Sequence, residues 1–547
     1  MAERNAEEIF KEFKEHSIAE FFKKNRQMLG FSGQVRSLVT VVHEYVTNSL
    51  DACEEANILP DISVKIKEIG ENRYTVTVKD NGPGIPKAYV GKSLATILAG
   101  TKFHRYVQQR GQQGIGAAGC TMFSQMTTGK PVIIKSGTGK GKAYSAKILI
   151  DTLRNKPIVN DLVDLEEAFR GTIIEGEFAD VKYEMSERGV YEYLKRTALS
   201  NPHCQIMFVA PDGKENVFIR SVEKMPEKSK PTQPHPLGLS VNDLLEYAHS
   251  SQNSRKLSSF IVDTFARCTP NKIAELKEVD NAIDFDKDPK QLTWADAEQL
   301  IKAIKKIKWI APDASSIIPI GEAQITKALK NILNPEFMSV VERKPKVFRG
   351  GVPFVVESAV AYGGSSGYIS NGNEVSGSIL RFANRVPLLF DAGNCAITEA
   401  VKSIEWKRYN IDLEAQPVSI FVNLSSVHVP YSGVGKEAVA KEEEIIEEIK
   451  LAVMDAARGV KDYIRGKEHV KFESGRYRTT MRYAKQLADD LHSLTGADQK
   501  RMEEKIEKLV AKHYPHLKKM AEEAEDEQNE SDNAEGKTEK DEEESNQ

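Results

Sequence analysis

The sequence predicts a multidomain α/β protein, and three features predict it. Near the start, a helical pattern runs directly into a pair of alternating strands. A Pro-rich stretch, MPEKSKPTQPHP, then separates this strand-rich region from one whose apolar spacing is helical throughout. Beyond it, strand patterns return and lead into a long helical seam. A chain of 547 residues is too long for one compact core, and roughly one domain per ~150 residues suggests three or four.

Taken in order, residues 1–30 read as a helical arm. Residues 34–56 carry Val35, Leu38, Val42, Tyr45, Val46 and Leu50 at helical spacing, with no Gly or Pro inside. Two alternating runs follow, ISVKIKEI and RYTVTVK, separated by the turn-rich Gly70-Glu71-Asn72. A Gly-rich stretch over 91–119 and strand-like runs at 132–136, 142–150 and 172–178 complete a first α/β domain, bounded at 31–228. In 229–311, Ser240 and Thr293 are N-cap candidates and Pro270 sits where a helix can begin, which predicts a small all-α domain with a basic edge, KAIKKIKWI. In 312–470, VPFVVESAVAY, GSILRFANRVPLLF and QPVSIFVNLSSVHV return to strands, with GGSSGYISNGN and the helical NCAITEAVKSI between them. A long helix is expected from Lys436, because Ile445, Ile449, Ala452, Ala456, Val460 and Tyr463 recur in steps of three and four. A seam this narrow wants a partner surface. Residues 471–519 read as further helices, two of them over 477–517, and 520–547 as a tail too acidic and polar to order itself.

Composition excludes several classes. No apolar run approaches the ~18 residues that a membrane span needs, and the start has neither the apolar core nor the cleavage site of a signal peptide. The five cysteines are scattered and never form CxxC, so they read as packing residues of a reducing, cytoplasmic compartment. The net charge of −4 is concentrated in the tail; the remainder is net basic, which permits contact with nucleic acid.

Three constellations carry chemistry. In HEYVTNSLDA, offsets of four and three put Glu44, Asn48 and Asp51 on one helical face. Alone, that fits the solvated side of any amphipathic helix. Twenty-nine residues after Asp51, the second strand of the hairpin ends in Asp80-Asn81-Gly82-Pro83-Gly84, where glycines let backbone approach a ligand. Alone, that is a tight turn. RGQQGIGAAG then supplies Gly111, Gly114 and Gly116, whose free amides can cradle phosphates, and Gly171-Thr172 opens a strand further on. Two decoys fail: PKAYVGKS has Pro86 where a P-loop needs glycine, and Asp284, Asp286 and Asp288 are followed by Pro289 where a calcium loop needs glycine. The chain shows no DNA-cleavage centre.

The set in this order resembles the ATP site of the Bergerat-fold family, which contains gyrase B, the ninety-kilodalton heat-shock chaperones, MutL and the sensor histidine kinases. The resemblance implies a Bergerat-type α/β sandwich that binds ATP and Mg²⁺. Glu44 would be the general base for the attacking water, and Asn48 the metal ligand. Asp80 would accept from the adenine amino group, with Gly84 allowing the base to approach and Thr172 supporting the contact. Asp51, Lys102, Gly111, Gly114 and Gly116 would complete the nucleotide site, and 97–113 would be its lid. Glu44 favours hydrolysis over transfer of phosphate to a histidine.

The third domain resembles a transducer, a domain that lends a lysine to the γ-phosphate. The candidate is Lys436 in VPYSGVGKEAVA, read as standing at a helix start, where a cation is otherwise poorly placed. The all-α insert, HPLGLSVNDLLEYA through LTWADAEQLIKAI, resembles the helix-two-turn-helix domain found in the type IIB DNA topoisomerases, in the B-type component of the topoisomerase VI family. With RFANRVPLLFDAGN and SVHVPYSGVGKEAVA, that likeness covers roughly residues 10–470. It implies the ATP-dependent component of a type II DNA topoisomerase, which dimerises on ATP with exchanged N-terminal arms. It would pair with the DNA-cleaving A-type component of topoisomerase VI in a heterotetramer of two A and two B subunits. It would also contact double-stranded DNA electrostatically, near the nucleoid. A MutL-like or chaperone-like ATP-dependent clamp is the alternative, and neither requires the helical insert.

Overall fold

The computed structural model describes residues 17–99, 106–111, 114–252, 254–370, 374–433, 435–496 and 498–513. The first part of the N-terminal arm, Lys102 with much of the expected lid, and the acidic tail lie outside the described residues. By internal contact the chain forms two units. One comprises Met1–Glu405 with Asp412–Ala457, the other Trp406–Ile411 with Arg458–Gln547.

The first unit begins with α1 (Ile18–Lys24) and α2 (Gln34–Glu55). An eight-stranded sheet follows: β1 (Asp61–Gly70), β2 (Arg73–Asp80), β3 (Val132–Thr138), β4 (Tyr144–Asp151), β5 (Lys156–Asp164), β6 (Arg170–Ala179), β7 (Gln205–Val209) and β8 (Glu215–Phe218). Their spatial order is β5-β4-β3-β6-β2-β1-β7-β8, antiparallel except for the β1/β7 pair. The alternation in β1 does what the sequence predicts: Ile62, Val64 and Ile66 are buried while Lys65 and Lys67 face solvent. Against the inward face pack α2, α4 (Gly116–Thr128) and α5 (Val190–Ser200), preceded in the chain by the short α3 (Val90–Ala95). Leu38, Val42, Tyr45, Val46 and Leu50 of α2 are at most 1% exposed and share one core with Val64, Val76, Val78 and Tyr193. Burial of each such side chain contributes about 1.5–3 kcal/mol, so α2 is fixed rigidly to the sheet beneath it.

The all-α segment has α6 (Val241–Ser250), α7 (Leu257–Thr264), α8 (Pro270–Val279) and α9 (Trp294–Ile304) around Leu244, Phe260, Leu276 and Leu300. Both expected caps are present as capping boxes. Asp243 N donates to Ser240 Oγ at 3.2 Å and Asp296 N to Thr293 Oγ1 at 3.3 Å, each carboxylate accepting in return from the cap's own N–H. Pro270 stands in the first turn of α8.

The next segment opens with α10 (Glu322–Leu333) and continues with β9 (Phe337–Glu342), β10 (Lys346–Phe348), β11 (Val352–Tyr362), β12 (Tyr368–Ser370), β13 (Glu374–Ser376), β14 (Ser378–Ala383), β15 (Val386–Pro387), α11 (Ala396–Lys402) and β16 (Val418–Ser426). The sheet runs β10-β11-β16-β14-β15 with β9 on β11, and β12/β13 form a separate pair. β16 is buried along its whole length and β11 along nearly all of its own, which is why they read as continuous apolar runs.

The long helix, α12 (Glu443–Thr495), differs from expectation at both ends. It starts seven residues beyond Lys436, because Tyr431 pairs with Val439 and closes the intervening segment as a loop. It also runs on through the region expected to hold a separate helix, and among the described residues only α13 (Gln499–His513) follows. Ile445, Ile449, Ala452 and Ala456 of the seam are fully buried. Arg343, just past β9, ties α12 to the sheet by ion pairs to Glu448 and Asp455 at 2.7 and 2.6 Å. All five cysteines are free and buried. Among the described residues no helix is long and apolar enough to cross a membrane.

Candidate active site

Two turns of α2, the end of β2, the start of α4 and the loop before α12 converge on one cavity of about 430 Å³. Every described candidate lines it: Glu44, Asn48, Asp51, Asp80, Gly84, Gly111, Gly114, Gly116, Thr172 and Lys436.

At one end Asp80 is buried and held by three donors. Ser49 Oγ and Gly82 N approach at 2.9 Å and Thr172 N at 3.1 Å. Burial pushes its carboxyl above the ordinary value, and the three hydrogen bonds restrain that rise. Asp80 and Thr172 are register partners on β2 and β6, so the sheet itself sets their spacing. Gly84 has φ +73°, and a Cβ there would meet Gly137 O at 2.3 Å, so only glycine lets this backbone lie against β3.

At the other end Asn48 is exposed into the cavity from a helix whose neighbouring positions are buried. Glu44 is half-buried and packs on the first turn of α4, where a Cβ on Gly116 would stand 1.7 Å from Glu44 Oε2. The partial positive charge of that helix start suits a carboxylate. His43 beside it stacks edge-on against Tyr193 at 5.5 Å, and burial lowers its pKa despite the adjacent Glu44. An exposed amide oxygen and glycine-lined backbone are a donor set for a hard cation and phosphate oxygens, so these residues fit ATP with Mg²⁺.

Lys436 lies in the loop, not at a helix start, which removes the helix-end argument for its role. Its placement argues instead. It lines the cavity, its Nζ lies 6.0 Å from the Tyr431 ring centroid, and burial lowers its pKa against the pull of Glu44 and Asp51.

Several neighbours carry no signal in the sequence. Arg110, immediately before Gly111, donates to Asp51 Oδ1 at 2.8 Å, to both oxygens of Glu54 at 2.9 and 2.6 Å, and to Asn201 Oδ1 at 2.5 Å. Burial works against its charge, but Glu54 and Asp51 hold its pKa above the ordinary value. Burial alone would raise the Glu54 carboxyl; Arg110 and a 2.8 Å hydrogen bond from His203 hold it well below the carboxylate range. Arg36, on α2, pairs with Glu437 of the Lys436 loop. RGQQG offers one hint, a cation beside the glycines, but nothing in it names the partner. Among the described residues no cluster of His, Cys, Asp and Glu could hold a metal by itself, and Asp286 of the acidic loop pairs with Lys256 at 2.8 Å.

Residues 33–152 match the family described as histidine kinase-, DNA gyrase B- and HSP90-like ATPase, and 312–476 match the topoisomerase VI B subunit transducer. The chain is 44% identical over 553 residues to the type 2 DNA topoisomerase 6 B subunit of Pyrococcus horikoshii, covering 92% of this chain and 96% of that one. It is 47% identical over 478 residues to the protein of the same name from Methanothermobacter thermautotrophicus, covering 86% and 91%. Among solved structures, the ATPase region of Saccharomyces cerevisiae topoisomerase II aligns at 11% identity with a TM-score of 0.39, over 84% of this chain and 99% of that one, too loose a likeness to add weight. With a Bergerat-type ATPase domain, a transducer and relatives matched over nearly their whole length, this chain belongs to the type 2 DNA topoisomerase 6 B subunit family.

Proposed function

We propose that this chain is the ATP-hydrolysing component of a topoisomerase VI, in which ATP-driven dimerisation gates passage of one DNA duplex through another. The observation that carries this reading is the convergence of Glu44, Asn48, Asp80 and Lys436 on a single cavity. Asp80 reads the adenine amino group, and Gly84 lets the base lie against the backbone. Glu44 orients water and takes its proton, held in position by its packing on the first turn of α4. Asn48 would hold Mg²⁺, which would supply neutralisation of the phosphate charge. Lys436 meets the terminal phosphate and makes the site sensitive to where the transducer stands. Interactions that differ between nucleotide states are what can drive a gate.

In this reading two copies dimerise through their ATPase domains. The long α12 communicates with the A-type component, which cuts and reseals both strands within a complex of two A and two B subunits. The basic surface outside the tail contacts DNA in a salt-dependent way, and relaxation of supercoils is the outcome. The test is ATP hydrolysis by the full chain with and without DNA and the A-type component, comparing wild type with Glu44→Ala. Hydrolysis that DNA stimulates only when the A-type component is present, and that the variant loses, supports the assignment. Turnover indifferent to both partners leaves an ATPase and removes the topoisomerase role.

A further inference from the structure

Lys436 has φ +53°, a left-handed conformation that a side chain other than glycine keeps only where its surroundings hold it. Part of that hold is the loop's own closure. Ser432 N donates to Ala438 O at 2.9 Å and Lys436 N to Gly433 O at 3.2 Å. The rest comes from α2. Arg36 Nε donates to Glu437 Oε1 at 3.0 Å, and its Nη2 pairs with the other Glu437 oxygen. The same guanidinium faces Asp391 Oδ2 at 3.4 Å and lies 5.1 Å over the Phe390 ring, which fixes its direction. Arg36 stands eight residues before Glu44 on one rigid helix, and Glu437 directly follows Lys436. The clamp therefore joins the helix that carries Glu44 and Asn48 to the loop that carries the lysine.

We infer that Arg36 is a positioning residue: through Glu437 it holds Lys436 in the ATP site in register with Glu44. The inference rests on the reading of Lys436 as the lysine that meets the terminal phosphate. Arg36 does not touch substrate; its contribution is the placement of a group whose charge counts only at the right spot, where a displacement of about 1 Å can cost on the order of 100-fold in rate. Both partners are partly exposed, at 23% and 14%, so either can be replaced without leaving a fully buried charge.

The experiment is ATP turnover of the full-length chain for Arg36→Ala, Lys436→Ala, the double variant Arg36→Ala/Lys436→Ala, the single variants Arg36→Glu and Glu437→Arg, and their combination as the charge swap Arg36→Glu/Glu437→Arg, each with a thermal melt. Arg36→Ala is expected to lower kcat about tenfold with KM changed less than about twofold. In the Lys436→Ala background it is expected to have no further effect, because nothing is left to position. The swap is expected to turn over faster than either Arg36→Glu or Glu437→Arg alone. Multiplying defects in the double variant, or a swap no better than its parts, overturns the role. Normal Arg36→Ala turnover beside a defective Lys436→Ala overturns the positioning alone. Normal Lys436→Ala turnover overturns the reading of the lysine and with it the need for a clamp.

Discussion

Arg110 Nη1 lies 2.8 Å from Asp51 Oδ1, so the last carboxylate of the helix motif is neutralised by the residue that leads into the glycine run beginning at Gly111. The arginine side chain is 6% exposed and shares its charge with Glu54, while Asn384 donates to the carbonyl of the preceding Gln109 at 3.3 Å and Asn201 to that of Arg385 at 3.1 Å. The α2 helix, the glycine loop and the transducer turn therefore meet at one buried ion cluster. Arg110→Ala would strand two carboxylates out of water, and the expected loss of stability is about 3–5 kcal/mol. Arg110→Lys keeps the charge without the fork and is expected to lose less. Denaturant unfolding of the two variants checks this; an alanine variant as stable as wild type would show the cluster to be dispensable.

Gly84→Ala tests the proposal that the adenine base binds at the Asp80 end of the cavity. Its Cβ would face the Gly137 carbonyl oxygen at 2.3 Å and carbon at 2.8 Å, both backbone atoms of a central strand that cannot yield. A side chain at φ +73° adds strain of about 1–3 kcal/mol. Relief requires the turn to lift away from β3, breaking the 2.7 Å bond from Ile85 N to Ser136 Oγ. The expected outcome is a lower melting temperature and ATP-analogue binding weakened at least about tenfold, read by fluorescence titration. Unchanged binding would mean that the base does not lie against this backbone.

What was legible in the sequence was what short-range physics determines. The α2 pattern, the β1/β2 alternation and the caps at Ser240 and Thr293 each depend on residues within a few positions of one another, and each is found as read. The carboxylate and glycine boxes stood out because they are short strings, and the structure brings their described residues to one cavity. β5 escaped notice because it is an edge strand with Ile158, Val159, Leu162 and Val163 all exposed, so no alternation marks it. The start of α12 was misplaced because helical spacing carries no sign that Tyr431 will pair with Val439. Arg36 and Glu437 are 401 residues apart, and one charged residue among so many does not announce its partner.

Acid should weaken the fold in two steps. Burial lowers the pKa of His203 below the ordinary histidine value of about 6.5, so the unfolded chain binds its proton first. That makes the stabilising contribution complete above about pH 6.5 and lost as pH falls through the depressed folded value. His43, His235 and His428 are lowered by burial in the same direction and share this step. Glu54, held well below its ordinary range, contributes above about pH 4.5 and loses that contribution only further into acid. Melting temperature against pH is expected to decline below about 6.5 and again below about 4.5. His203→Gln, which can still donate to Glu54, should shrink the first decline and leave the second. A first step of unchanged size would exclude His203 from it.

Gly116→Ala asks whether the placement of Glu44 matters apart from its presence. The added methyl would stand 1.7 Å from Oε2 and 2.3 Å from the carboxyl carbon, so the carboxylate must swing off the start of α4. Gly116 opens the helix and is not among the residues with positive φ, so the backbone accepts alanine and the fold should hold. Asp80, Gly84 and Thr172 at the other end of the cavity are untouched, and ATP binding should survive. A displaced general base costs on the order of 100-fold in turnover, so kcat is expected to fall toward that of Glu44→Ala while the binding titration stays near wild type. Combining the two substitutions should lower the rate no further than Glu44→Ala does, since the alanine at 116 acts only by moving that carboxylate. A Gly116→Ala protein that hydrolyses ATP at the normal rate would show that Glu44 works from somewhere other than the start of α4, and the assignment of the general base would have to move with it.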